Sequence, residues 1–272
     1  MADTSPSAPG PLDPTDVLRP GCLAGRVGLV TGGGTGIGRA TALVLARLGA
    51  QVVIMGRRPE PLAETVALAS PDAPPIMALP VDLREFDQVD AALDKVLAEH
   101  QRIDLLVNNA GGQFISPAEQ VSANGFRAVT RLNLDAPWYL TTRIAGRSMI
   151  PQGYGKIVSV TMTPQRGIPY MAHSSAARAA IESLTQTLAV EWAQYGIRIV
   201  AVAPGLVHTP AWEGYGLDPA TVAAALPLKR LQRPEDVAAV IAFCLSPAGD
   251  YITGTTLVTD GGWNLVGPFP AM

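Results

Sequence analysis

The chain is short of the residues that cross-link a protein or hold a metal. Its 272 residues include two cysteines, Cys22 and Cys244, and three histidines, His100, His173 and His208. Two thiols cannot build a disulfide framework, and the three imidazoles lack the spacing of a ligand set, so no metal is expected. Charge is scarce as well: Asp, Glu, Lys and Arg make up 16% of the residues, against roughly 25% in an average soluble protein. The net charge is −3 and no basic tail or stripe is present, which excludes the usual nucleic-acid footprint. No apolar run approaches the ~18 residues of a membrane span, and the N-terminus lacks an apolar signal-peptide core. A cytoplasmic protein with no membrane or nucleic-acid partner is the expectation.

Apolar residues are plentiful, at 48%, which suits a sheet buried on both faces or an oligomer that hides surface. Residues 1–22 are the exception. Pro6, Pro9, Pro11, Pro14 and Pro20 interrupt any helix there, and a disordered or loosely packed N-terminal tail is expected. Residues 23–272 read as a single domain. Short runs rich in β-branched residues fall at 27–30, 52–55, 76–81, 103–107, 156–160, 198–202 and 255–258. None alternates polar with apolar, the mark of strands covered on both faces. Between them, Ile181, Leu184, Leu188 and Trp192 recur at helical spacing. So do Val237, Val240, Ile241 and Cys244, after Pro234 at a first-turn position. The alternation predicts an α/β fold, a doubly wound Rossmann-type parallel sheet of about seven strands flanked by helices.

Thr31-Gly32-Gly33-Gly34-Thr35-Gly36-Ile37-Gly38 lies between the first run and a helical stretch. Glycines allow a tight turn and let backbone approach a pyrophosphate. The helix N-terminus that follows offers free N–H groups and partial positive charge. Gly32, Gly34, Thr35, Gly36, Ile37 and Gly38 are therefore candidate dinucleotide contacts. After the second run, where a site selecting NAD carries a carboxylate for the ribose hydroxyls, the chain has Gly56-Arg57-Arg58. No negative charge there repels a 2′-phosphate and two guanidiniums can grip it, so NADP(H) is the expected cofactor, with Arg57 ahead of Arg58.

Further segments complete a pattern: Val81-Asp82-Leu83, Asn108-Asn109-Ala110-Gly111, Leu132-Asn133-Leu134, Pro204-Gly205 and Asp260-Gly261-Gly262. With the glycine loop, they resemble the short-chain dehydrogenase/reductase family from about residue 25 to residue 262. The resemblance implies that Asp82 and Leu83 meet the adenine and that Asn109, Ala110 and Gly111 line its ribose. Pro204, Gly205 and Val207 would pack against nicotinamide, with Thr209 on its carboxamide or a phosphate. A homodimer or homotetramer is implied too. The family's catalytic Tyr-x-x-x-Lys is missing, and the place reads Ser174-Ser175-Ala176-Ala177-Arg178. Gly111-Gly112-Gln113-Phe114-Ile115-Ser116-Pro117-Ala118-Glu119 and the stretch from His173 to Ala179 are similar to one branch of the family. That branch holds the peroxisomal trans-2-enoyl-CoA reductases and 2,4-dienoyl-CoA reductases, and its enoyl-CoA members likewise carry Ser-x-x-x-Arg.

Losing tyrosine and lysine limits the chemistry. A serine hydroxyl is too weak an acid to protonate a carbonyl oxygen efficiently at neutral pH, although Ser174 can still donate a hydrogen bond. Arg178 can hold ribose hydroxyls but does not shuttle a proton. An activated C=C bond asks for less, because its thioester oxygen becomes enolate-like and needs donors more than a full proton transfer. Asn133 is a candidate for an ordered-water route. Thr161 is favoured for the place of the family's serine, with Thr163 the alternative. The α-carbon proton comes from water, Tyr170 or His173. The segment 205–226, with Trp212 and Tyr215, is expected to cover an apolar or acyl small-molecule substrate beside Gln113 and Phe114. Arg127 and Arg166 are the candidates for a coenzyme A phosphate. Three readings stay open: an NADPH-dependent enoyl reductase, a carbonyl or imine reductase with Tyr170 or His173 as acid, and a cofactor-binding protein without redox turnover.

Overall fold

The computed structural model describes residues 18–163, 167–210, 212 and 218–266. Each apolar run becomes a strand: β1 (Val27–Thr31), β2 (Gln51–Gly56), β3 (Met77–Pro80), β4 (Leu105–Asn108), β5 (Gly155–Val160), β6 (Ile197–Pro204) and β7 (Thr255–Thr259). They form one sheet in the order β3-β2-β1-β4-β5-β6-β7, with every neighbouring pair parallel. The helices between them are α1 (Gly36–Arg47), α2 (Pro59–Ala67), α3 (Phe86–His100), α4 (Ala123–Thr130), α5 (Ala136–Ile144), α6 (Ile150–Gln152), α7 (Ala172–Trp192), α8 (Pro219–Ala225), α9 (Pro234–Leu245) and α10 (Trp263–Val266). Helices α4, α5 and α6 run on end to end through π turns at Arg131–Asp135 and Ala145–Met149.

Period-2 side-chain direction explains why the strand runs are continuously apolar. On one face, Val30, Val107, Val158 and Val202 pack with α1 and α9 through Leu45 and Ile241. On the other, Leu29, Leu106, Ile157 and Ile199 pack with α3 and α5 through Leu93 and Leu140. Every residue of β1, β4 and β5 is buried. No helix among the described residues is long and apolar enough to cross a membrane.

Two details differ from the sequence reading. The core-facing stripe of α7 is Ala177, Ile181, Thr185 and Ala189, whereas Leu184, Leu188 and Trp192 are only half-buried. Small residues let the helix lie close on the sheet, so the large side chains flank the contact. Ordered packing also starts before residue 23: Leu18 and Cys22 rest on the core, and the Leu23 N–H donates to the Leu48 carbonyl at 3.0 Å. The expected tail over 1–17 lies outside the described residues.

Strand order reverses at β1, which has β2 on one side and β4 on the other. The loops after β1 and β4 therefore part, and a crevice opens at the carboxyl ends of the strands. The first turn of α1 is pressed onto this edge. A Cβ at Gly38 would stand 2.1 Å from the Gly32 carbonyl oxygen and 2.5 Å from Asn109 Nδ2. Gly38→Ala is thus expected to lower stability by about 1–3 kcal/mol in urea denaturation, because backbone must shift. Gly146, on an exposed helical turn with nothing near its absent Cβ, is the control: Gly146→Ala raises stability by roughly 0.5–1 kcal/mol.

Candidate active site

The crevice is a cleft of about 890 Å³ lined by the loops that follow β1, β2, β3, β4, β5 and β6. Its phosphate end is fastened by one hydroxyl. Thr31 Oγ1 donates to the Val107 carbonyl at 3.3 Å and accepts the N–H groups of Asn109 and Ala110, each at 2.9 Å. Asn109 Nδ2 answers by donating to the Thr31 carbonyl at 2.9 Å. Gly32 sits at φ +66° and Gly36 at φ +52°, conformations that favour glycine. Gly34 gives close approach to α2, since a Cβ there would be 2.9 Å from Pro61. Helix α1 starts at Gly36 without an acidic residue in its first turn, so its free N–H groups present unopposed positive charge. Gly32, Gly34, Thr35, Gly36 and Ile37 all line the cleft, while Gly38 lies behind them.

Arg57 and Arg58 stand exposed at the mouth of the cleft beside this loop, and neither makes an ion pair among the described residues. Asp82 lines the cleft opposite, with Leu83 next to it. Its carboxylate is gripped by Arg84, at 2.9 Å through Nε and 2.5 Å through Nη2. That hydrogen bonding, aided by the charge of Arg57, holds the Asp82 pKa down to about 2. Arg84 was missed from sequence because only the fold turns its side chain back on Asp82.

At the other end, α7 carries Arg178 into the cleft. Its Nη1 donates to the Val160 carbonyl at 2.5 Å, and its guanidinium fills the space a side chain at Gly111 would take. A Cβ on Gly111 would be 2.2 Å from Arg178 Nη2. Burial pulls the arginine pKa down to about 10, so it remains a cation at neutral pH. Asn133 sits in the π turn, fully buried, a kind of irregularity frequent at functional sites. Its Oδ1 accepts the Gly112 N–H and its Nδ2 donates to the Gly112 carbonyl, both at 3.0 Å. The side chain therefore fixes the loop after β4.

Ser174 occupies the tyrosine place but is fully buried and does not line the cleft. Its hydroxyl donates to Gln113 Oε1 at 2.8 Å and lies 3.6 Å from Met162 Sδ. Gln113 and Met162 are the groups that reach the cleft there. Thr161 lines the cleft and Thr163 does not. Thr161 Oγ1 donates to Glu182 at 3.1 Å, and Thr163 Oγ1 donates to the Ala203 carbonyl at 3.0 Å. After β5 the chain carries Met162 toward Ser174. The sequence offered no sign of this, because a methionine carries no catalytic signal. Tyr170 is 45% exposed at φ +64° and does not line the cleft; its carbonyl accepts the Ser116 N–H at 2.9 Å. His173 is fully buried, with Nδ1 accepting the Ser174 N–H at 2.7 Å.

Pro204, Gly205, Val207 and Thr209 all line the cleft. Gln232 clamps this loop: its N–H donates to the Leu206 carbonyl and its Oε1 accepts the Gly205 N–H. No sequence signal singled it out, since its role depends on α9 starting beside β6. The remaining wall is apolar, with Phe114, Ile115, Met162, Leu206 and the 6%-exposed Trp212. Arg127 is exposed and outside this lining, while Arg166 and Tyr215 lie outside the described residues.

Comparison with known proteins agrees with this arrangement. Residues 32–264 match the family model described as Enoyl-(Acyl carrier protein) reductase. The peroxisomal 2,4-dienoyl-CoA reductase of Danio rerio is 34% identical over 254 residues, covering 91% of this chain and 84% of the relative. The cis-4-hydroxycyclohexanecarboxylate dehydrogenase of Sinomonas cyclohexanicum is 40% identical over 248 residues, covering 90% and 98%. Among solved structures, a citronellol catabolism dehydrogenase of Pseudomonas aeruginosa PAO1 superposes with a TM-score of 0.82 at 39% identity, covering 91% of this chain and 98% of that one. A match of this length, over a sheet of this order and a glycine loop at its switch point, means that the chain belongs to the short-chain dehydrogenase/reductase family, oxidoreductases that use nicotinamide cofactors.

Proposed function

We propose that this protein is an NADPH-dependent reductase of an activated C=C bond, with an enoyl thioester as the type substrate. The observation that carries the reading is the oxygen pocket. Where the family places its tyrosine, the cleft is met by an amide, Gln113, whose oxygen is held by a buried serine. Such a pocket supplies hydrogen bonds and no acid of suitable strength.

The residues fit the dinucleotide. The glycine loop, the bare first turn of α1 and the arginine pair suit a pyrophosphate and a 2′-phosphate. Arg178, a cation without a carboxylate partner among the described residues, suits ribose hydroxyls in the place of the family's lysine. When bound, NADPH supplies the hydride. Gln113, which lines the cleft and whose amide oxygen accepts from Ser174, is the donor we assign to the thioester oxygen. Negative charge that moves from the β-carbon onto that oxygen is held by this donor, and water returns a proton to the α-carbon. Ser174 is a positioning residue in this scheme. The apolar wall at Phe114, Ile115 and Trp212 receives the acyl chain. Trp138 and Val190, exposed on α5 and α7, suit the burial of these helices between subunits of an oligomer.

The dehydrogenases among the relatives favour carbonyl–alcohol chemistry as a second reading. It requires an acid at Tyr170 or His173, and neither lines the cleft.

Two outcomes check the proposal. Arg57→Ala combined with Arg58→Ala is expected to weaken NADPH binding at least about tenfold in calorimetric titration while leaving NADH within about twofold, since the lost charge-assisted contacts serve only the 2′-phosphate. Gln113→Leu is expected to cut kcat on a crotonyl thioester by roughly 10²-fold with NADPH affinity retained, the usual loss for one oxyanion donor. An unchanged kcat, or no turnover by the parent protein on any enal, enone or enoyl thioester, defeats the reading.

A further inference from the structure

One buried polar atom near the cleft is left without a partner. His173 is fully buried, and its Nε2 meets no hydrogen-bond partner among the described residues. Its tautomer follows from the other nitrogen. Nδ1 accepts the Ser174 N–H at 2.7 Å in the first turn of α7, so the proton sits on Nε2. Burial lowers the imidazole pKa, which favours the neutral ring that carries its proton on Nε2. An unpaired buried donor is costly, and a native structure keeps one where something else satisfies it.

Phe114 packs edge-to-face against this imidazole. The two ring centroids are 4.2 Å apart with the planes at 71°. Phe114 belongs to the cleft lining and is 39% exposed. It lies in a stretch without regular structure and touches both His173 and the cleft. The ring is seated on Gly125 of α4, where an added Cβ would be 3.2 Å from its Cζ. Such a seat leaves the ring packed on two sides and open on the third.

We propose that His173 is a substrate-anchoring residue: with the Phe114 ring turned aside, Nε2–H donates a hydrogen bond to a second oxygen of the substrate, a hydroxyl, carbonyl or carboxylate set apart from the reacting double bond. This anchoring rests on the reductase reading of the same cleft and narrows its substrates to chains or rings with a distal oxygen. A plain alkyl chain leaves Phe114 in place and gains nothing from His173.

The test uses saturated N-acetylcysteamine thioesters, which bind without reacting. A ladder of acyl chains with and without a terminal hydroxyl is titrated into the full-length protein with NADP⁺. At one or more lengths, the hydroxylated chain is expected to bind at least about tenfold more tightly than its plain counterpart. His173→Asn, which keeps an acceptor for the Ser174 N–H but removes the ε donor, erases the difference. His173→Gln, which restores a donor near the ε position, returns most of it. In ¹⁵N spectra, the imidazole Nε2–H moves downfield with the hydroxylated ligand alone. Equal binding of the two series, a difference that survives His173→Asn, failure of either series to bind, or an Nε2–H already hydrogen-bonded without ligand overturns the anchor. Selective binding without NADPH oxidation on the matching enoyl thioesters overturns the reductase reading and leaves the anchor standing.

Discussion

The hydroxyl of Thr31 joins the two halves of the molecule where their loops diverge. It ties the end of β1 to the end of β4 through one donated and two accepted hydrogen bonds. The glycine loop leaves from one side of that knot, and Gly111, Gly112 and Gln113 leave from the other. The position of the phosphate cradle and of the oxygen pocket are thus set together. The sheet can do this because its central strands are buried on both faces, so the only freedom left at the switch point is in the loops.

From this knot the chemistry is arranged by close approach. Gly111 has no side chain, and Arg178 uses that space to reach the cleft from α7. Asn133 holds Gly112 by both ends of its amide, and Ser174 holds Gln113 by its oxygen. The loop after β4 is therefore clamped by one helix on each side, through a π turn in one case and a first turn in the other. A half-buried cation whose one partner among the described residues is a carbonyl is a burden on the fold. Its retention beside a glycine cradle is the trade of stability for binding that functional sites show. The same holds on a smaller scale for the unpaired nitrogen of His173.

Much of the fold was legible because its signals are local. Seven β-branched runs without polar alternation became seven parallel strands, and the glycine loop fell where strand gives way to helix. The cleft-lining set from Gly32 to Thr209 was readable for the same reason, through motifs that sit at strand ends. What was not legible depends on distance in sequence. Met162 and Gln113 meet Ser174 from three separate loops and helices, and no spacing rule links them. Arg84 neutralises Asp82 two residues away only because a turn brings it back. Thr161 and Thr163 read as alternatives for one place, and only the fold separates them, since Thr161 lines the cleft and Thr163 does not. The α7 stripe was read from its large residues, while the contact is made by its small ones.

The claim on which the rest turns is that hydride reaches carbon in a conjugated C=C bond. The direct measurement is the fate of deuterium from NADPH labelled at its transferable C4 position, followed by NMR of the product of a trans-2-enoyl thioester that also bears a ketone. The account predicts label at the former β-carbon of a saturated thioester, with the ketone intact. Label on a carbinol carbon, with the double bond retained, would contradict it.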